Sequence, residues 1–251
     1  MRIIICIIFT FFPVMMKSDA SGADNLNYQF YVIPSIGPES TELEMVLKNE
    51  ENFPLHYEFP TSQLFEITIT DKSGKEVYKY SKGRYFLQAF QTLSIKPHET
   101  RKIIQRWNYQ SDGNRAAPGE YQVTVSLKPL HINGKPISNR QKLTSIKKLL
   151  VPKENPAFRH VKVSGTNGSY VVSGEVNAAT FYYSVENGHK EYIQEQLVQG
   201  KGVGKWVPFT LNIQVPAEAV PKNGALLLNL YQKNTNDEIL NLYPVLLEHQ
   251  P

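Results

Sequence analysis

The chain has 251 residues, of which 41% are hydrophobic and 20% are charged, and its formal net charge is +4. This composition supports packed cores rather than a disordered chain, and the length favours one large domain or two of ordinary size. The positive excess is small and dispersed, so it does not indicate nucleic-acid binding.

The N-terminus begins with an almost unbroken apolar run from Ile3 to Met16, followed by small residues at Ser18 and Ala20. The run is shorter than the roughly 20 residues of a membrane-spanning helix, and the small residues are typical of a signal-peptidase site. We therefore predict that residues 1–20 are a signal peptide cleaved after Ala20, or else after Ala23. The alternative is an uncleaved N-terminal anchor, because the positive charge before the run is weak. Cleavage predicts a secreted or cell-envelope-associated protein with no stable membrane span.

The chain has one cysteine, Cys6, and it lies inside this apolar run without the small-residue context of a lipid-attachment site. After cleavage the chain has no cysteine. A disulfide, a thiolate metal site and a cysteine nucleophile are then all excluded.

Beyond the N-terminus the apolar residues recur mostly with a period of two, as in Phe65 to Asp71 and Tyr121 to Leu127. This alternation predicts strands with one buried face. Turn signals such as Ser73-Gly74 and Asn133-Gly134 separate the runs at short spacing. The best helix candidate, Glu191 to Val198, lacks a capping box and could equally be a strand. Many short strands with frequent tight turns predict an all-β fold of sandwiches or barrels.

A break falls at residues 151–156, where Pro152 and Pro156 enclose three polar residues. Two prolines this close favour a stiff, extended connector and disfavour helix before each of them. The predicted domains are therefore residues 25–151 and 157–251, with 152–156 as the linker.

Residues 43–127 contain, in this order, the motifs Phe59-Pro60-Thr61-Ser62-Gln63, Gly74 to Tyr78, Leu93 to Glu99, Trp107 and Pro118-Gly119-Glu120-Tyr121. With these motifs the segment resembles the BsuPI family, which is named for a bacterial intracellular proteinase inhibitor. The resemblance implies a β-sandwich domain, proteinase inhibition and a serine protease as partner. The family's namesake acts inside the cell, whereas the N-terminus here indicates export, so the target stays open.

Two segments of this domain are candidate binding residues: Phe59, Pro60, Thr61, Ser62 and Gln63 at a corner, and Arg84, Tyr85 and Phe86 in a loop. The corner has a purely structural explanation, because proline ends a strand and the hydroxyls of threonine and serine bond to nearby backbone groups. The sharper hypothesis is contact with a protease, since exposed basic and aromatic loop residues are typical interface anchors.

Residues 158–247 carry Trp206-x-x-Phe209 and Tyr243-Pro244-Val245, preceded by a Val-Ser-Gly motif at Val163-Ser164-Gly165 or Val172-Ser173-Gly174. With these motifs the segment is similar to the immunoglobulin-like domain of bacterial spore-germination proteins. Together the two resemblances imply an all-β fold of two immunoglobulin-like β-sandwich domains in tandem. We expect Trp206 to pack in the core, as large aromatic side chains usually do.

Catalytic signatures are absent from the sequence. No two histidines are spaced i, i+4, and no helix-forming segment follows the glycine-rich stretch Gly200 to Gly204, which we predict to be a flexible hairpin tip rather than a phosphate cradle. We therefore predict no enzyme, catalytic residue, cofactor or metal. The expected function is that of an exported proteinase inhibitor acting through exposed loops of the first domain. The alternative is a non-inhibitory structural or adhesive module that binds cell-wall or spore components.

Overall fold

The computed structural model describes residues 23–216 and 224–250. Strands account for 61% of the described residues and helices for 3%, which confirms the predicted all-β class. The predicted signal peptide, with Cys6 and the cleavage position Ala20, lies outside the described residues. No helix among the described residues is long and apolar enough to cross a membrane.

Thirteen strands and two short 3₁₀-helices, Ala23–Asn25 and Arg140–Leu143, form the described part of the first half of the chain. The strands are β1 (Tyr28–Ile36), β2 (Thr41–Asn49), β3 (Leu55–Phe59), β4 (Phe65–Thr70), β5 (Glu76–Lys79), β6 (Gln91–Ile95), β7 (Thr100–Trp107), β8 (Gln110–Ser111), β9 (Asn114–Arg115), β10 (Gly119–Leu127), β11 (His131–Ile132), β12 (Lys135–Pro136) and β13 (Thr144–Val151). They pair as antiparallel sheets in the orders β1-β2-β7, β13-β10-β4-β5 and β12-β11-β3-β6, with β8-β9 as a small hairpin.

The alternating sequences build this first core. In β4 the inward positions are Phe65, Ile67 and Ile69, and on the paired strand β10 Val123 and Val125 lie opposite Ile69 and Ile67. All five side chains are buried. A polar residue at every second position faces outward because successive strand side chains point to opposite faces.

Seven strands form the described part of the second half: β14 (Phe158–Thr166), β15 (Ser169–Val176), β16 (Thr180–Glu186), β17 (Glu191–Gln199), β18 (Val207–Gln214), β19 (Gly224–Lys233) and β20 (Ile239–Gln250). The sheet orders are β14-β15-β18 and β17-β16-β19-β20. A separate buried cluster lies between them, with Phe158, Phe181, Phe209 and Tyr243 in aromatic contact. The ambiguous segment from Glu191 is strand β17, in which Leu197 and Val198 pair with β16.

The structure corrects the expectation that Trp206 is a core residue. Phe209 points into the core from β18, the adjacent Pro208 faces outward, and Trp206 precedes the strand. Trp206 is only partly buried, and the Arg159 guanidinium carbon lies 4.3 Å from its ring centroid.

The stretch from Gly200 to Gly204 is not a hairpin tip, because it connects β17 and β18, which belong to different sheets. Gly202 is buried in this connection, and a Cβ there would lie 2.5 Å from the Val176 carbonyl oxygen. The prediction was wrong because glycine serves here for close backbone approach rather than for mobility.

The two halves meet at a joint formed by Glu39 and Arg115. Glu39 Oε1 accepts a 2.7 Å hydrogen bond from the His160 N–H, and its carboxylate also bonds to the Tyr243 hydroxyl. Arg115 Nη2 donates to the Pro38 and Pro152 carbonyls at 3.1 Å each. The Glu39 bonds join the two halves directly, and the bond from Arg115 to Pro152 joins the first half to the connector.

Candidate functional site

The predicted corner begins where β3 ends. Phe59 is fully buried at 0% exposure, so it supports the corner from the core and does not face a partner. Pro60, Thr61, Ser62 and Gln63 follow and are partly exposed. The Gln63 N–H donates to Thr61 Oγ1 at 3.1 Å, which closes the turn in the way that threonine hydroxyls commonly do.

The predicted loop joins β5 to β6 and lies outside the sheets. Its side chains nevertheless point alternately towards the domain and towards solvent, as they do in a strand. Arg84 and Phe86 turn back to Tyr80: the Arg84 guanidinium carbon lies 4.1 Å from the Tyr80 ring centroid, and the Phe86 ring centroid lies 6.1 Å from it. Tyr85 and Leu87 turn outward, with Tyr85 fully exposed and Leu87 at 72% exposure. The loop therefore exposes Tyr85 and Leu87 along one edge, while Arg84 and Phe86 on the other edge contact the domain.

Ser62 brings the corner and the loop together. Its N–H donates to the Leu87 carbonyl at 3.0 Å, and its Oγ accepts from the Leu87 N–H at 2.9 Å. Two hydrogen bonds to one residue hold the backbone of the loop against the corner at the point where Leu87 faces outward. The two segments predicted separately from the sequence are thus one surface.

Glu66 on β4 accepts hydrogen bonds from both the corner and the start of the loop, so it connects these two segments to the sheet. Its Oε1 accepts from the Ser81 N–H at 3.0 Å, and its Oε2 accepts from Gln63 Nε2 at 3.0 Å. Partial burial acts to raise the pKa of Glu66, but hydrogen bonds from Ser81, Gln63 and Ile67 outweigh it and hold that pKa below its ordinary value.

A groove of about 430 Å³ adjoins the corner. It is lined by Pro60, Thr61, Gln63, Ser126, Leu127, Lys128, Leu130, Arg140 and Thr144. Residues of the corner therefore both contact the loop and line a groove that carries two basic side chains.

Sequence reasoning missed Leu87, Phe90, Glu66 and the two basic residues of the groove. Leu87 and Phe90 lie in an apolar run, and apolar runs are normally buried, yet here Phe90 is 76% exposed. The only sequence signal for Leu87 and Phe90 is that their apolar run does not show the period-two pattern of a half-buried strand. Lys128 and Arg140 are brought to the corner only by the pairing of strands distant in sequence.

The arrangement is suited to binding. Within the residues that the structure covers, no three His, Cys, Asp or Glu side chains are grouped so that they could hold a metal ion. The exposed apolar edge offers contact area, and the hydrogen bonds at Ser62 and Glu66 hold it in one conformation. A preformed loop loses little conformational entropy on binding, which favours affinity.

Solved structures resemble the chain only weakly. A transglutaminase from red sea bream is 11% identical, with 90% of this chain and 31% of that protein covered and a TM-score of 0.31. The β-glucosidase 3B from Thermotoga neapolitana is 16% identical over 51% of this chain and 16% of its own, with a TM-score of 0.30. A β-glucosidase from Kluyveromyces marxianus is 15% identical over 51% and 15%, with a TM-score of 0.29. The chain spans less than a third of each of these proteins, and such scores carry no functional argument.

No curated protein matches the chain. A family does match part of it: residues 32–131, which include the corner, the loop and part of the groove, are similar to the BsuPI family, described as intracellular proteinase inhibitor.

Proposed function

We propose that the protein is an exported proteinase inhibitor and that the loop from Arg84 to Phe90 enters the active-site cleft of a serine protease. The observation that carries the proposal is the exposed apolar edge of this loop, held against the corner by the two Ser62–Leu87 hydrogen bonds. The family similarity over residues 32–131 supports inhibition as the activity, and the apolar N-terminus supports export.

The physical basis is that proteases bind extended segments. An extended peptide can pair with a strand edge of its partner through main-chain hydrogen bonds while alternate side chains fill pockets. Tyr85 and Leu87 are the alternate side chains that project from this segment. Arg84 and Phe86 brace it from behind, so in this proposal they stabilise the bound shape rather than fill a pocket.

The test is to titrate the purified mature protein into secreted serine proteases of aromatic and basic specificity and to follow hydrolysis of a peptide substrate. Tyr85→Ala and Leu87→Ala should each weaken inhibition by about 30-fold, which corresponds to a hot-spot loss of about 2 kcal/mol. Ile104→Ala is the matched control, because Ile104 is an exposed apolar residue on β7 of the same domain. Inhibition that survives both loop substitutions would remove the loop from the proposal.

A structural or adhesive role in the cell envelope or spore is the second candidate. It is favoured by exposed leucines on the β17-β16-β19-β20 sheet, namely Leu197, Leu242 and Leu246, which lie outside the matched family region. The resemblance of this half to spore-germination domains points the same way. Retention of the protein on cell walls or spores, together with no inhibition of any protease, would favour this role.

A further inference from the structure

The basic groove adjoins the loop through the corner. Ser62 bonds to Leu87 of the loop, while its neighbours Thr61 and Gln63 line the groove. The loop and the groove therefore meet at the corner, and a partner as large as a protease that covers Leu87 can also reach the groove.

The charges of the groove have one sign. Lys128 and Arg140 line it, and no acidic side chain does. Arg140 Nη1 donates to the Pro129 carbonyl at 3.0 Å, which places its guanidinium beside the residue that follows Lys128. The Lys128 N–H donates to the Leu64 carbonyl at 2.9 Å, so the backbone that carries the ammonium is held to the end of the corner.

The remaining lining suits a short side chain that ends in a carboxylate. Pro60, Leu127 and Leu130 provide apolar surface for a methylene stem, and Leu127 is buried beneath. The Thr61 hydroxyl accepts from the Gln63 N–H and keeps its own hydrogen to donate, whereas the Thr144 hydroxyl donates to the Arg140 carbonyl. Carboxylates form their strongest hydrogen bonds with charged donors such as guanidinium and ammonium groups.

We propose that this groove receives an acidic side chain, Asp or Glu, from the surface of the bound protease next to its active-site cleft. This inference rests on the proposed inhibitory function and adds a second contact that selects among proteases. The loop fills the cleft, and the groove discriminates in favour of targets with an acidic residue beside it. Complementary charges at an interface raise the association rate and specify the partner.

The test compares two double variants with the same change in net charge. Lys128→Glu with Arg140→Glu reverses the groove, and Lys96→Glu with Arg101→Glu reverses two exposed basic residues that line neither the groove nor the loop. Association and dissociation rates with an inhibited protease are measured at low and high salt. We expect the groove variant to associate at least about 10-fold more slowly at low salt, with the difference shrinking at high salt. Equal association rates for the two double variants would overturn the inference.

Two further measurements keep the outcome unambiguous. If the charge-reversal variant does not fold, as checked by thermal melting, Lys128→Gln with Arg140→Gln replaces it. This neutral variant should also slow association.

Direct binding of a fluorescent glutamate-containing peptide and its glutamine analogue tests the groove separately from the inhibitory function. If no protease is inhibited, stronger binding of the glutamate peptide that is lost in the groove variant retains the groove and rejects inhibition. Equal binding of both peptides rejects the groove.

Discussion

Glu66 is the residue on which the corner and the loop both depend. Its carboxylate accepts from Ser81 at the start of the loop and from Gln63 at the end of the corner. An ionised carboxylate accepts stronger hydrogen bonds than a protonated one, so the geometry of both segments is linked to the charge of one group.

This linkage predicts a pH dependence with a definite sign. The pKa of Glu66 is lowered in the folded protein from its ordinary value of 4.5. The stability that its ionised form contributes is therefore present above pH 4.5 and is lost as the pH falls through the lower folded pKa. The loop should loosen in that acidic range.

Amide chemical shifts of Ser81 and Gln63 in a pH titration measure this directly. We expect both to move with one midpoint below 4.5 in the wild type and to show no such step in Glu66→Gln. Glu120→Gln is the control, because Glu120 is exposed and pairs only with Lys72 at 3.7 Å. A shared midpoint at or above 4.5 would contradict the role given to Glu66.

The connection between β17 and β18 shows how an element can depend on a glycine. Gly202 lies against the Val176 carbonyl, and a Cβ there would also lie 2.9 Å from Val207 Cγ2. Both neighbours belong to paired strands of the β14-β15-β18 sheet, in which Val176 opposes Val207. A Cβ at position 202 would therefore be confined by Val176 and Val207, which cannot move apart without disturbing the pairing of their strands.

Gly202→Ala should accordingly destabilise the protein by about 1–3 kcal/mol, the usual range for overpacking. Val203→Ala, one residue away, should change stability by less than about 0.5 kcal/mol because Val203 is 75% exposed. Chemical denaturation of both variants measures the difference. Similar denaturation midpoints for the two variants would show that the connection between β17 and β18 is flexible, as predicted from the sequence.

The relation of the two halves is a property of the whole molecule. The buried hydrophobic residues form one cluster over 23–151 and another over 157–247, and the joint at Glu39 and Arg115 lies between them. That residues 25–151 and 157–251 are two separate domains stays a prediction. The bonds of the joint indicate that their relative orientation is held by specific polar contacts rather than by a shared core.

Glu39→Ala should loosen that orientation, because it removes the acceptor for both the His160 N–H and the Tyr243 hydroxyl. Hydrogen bonds to a charged group contribute about 1.5–3 kcal/mol, so the coupling between the halves should fall by about this amount. Small-angle scattering should show a broader size distribution, and thermal unfolding should separate into two steps. Glu44→Ala, which breaks the 3.2 Å ion pair of Glu44 with Lys102 inside the first half, should leave the scattering unchanged. Identical scattering for the wild type and Glu39→Ala would show that other contacts hold the joint.

The sequence by itself determined the all-β class and several strands, because a period of two and glycine-containing turns are local features with direct structural consequences. It also pointed to the corner and the loop as binding segments. Only the tertiary structure decided that Phe59 is buried, that Ser62 joins the two segments, and that Lys128 and Arg140 lie beside them. The same holds for Trp206, which the sequence assigned to the core and which is only partly buried in the structure, just before β18. Period two states that one face of a strand is buried, but the partner strands that cover that face come from elsewhere in the chain, so burial and neighbourhood follow from the fold.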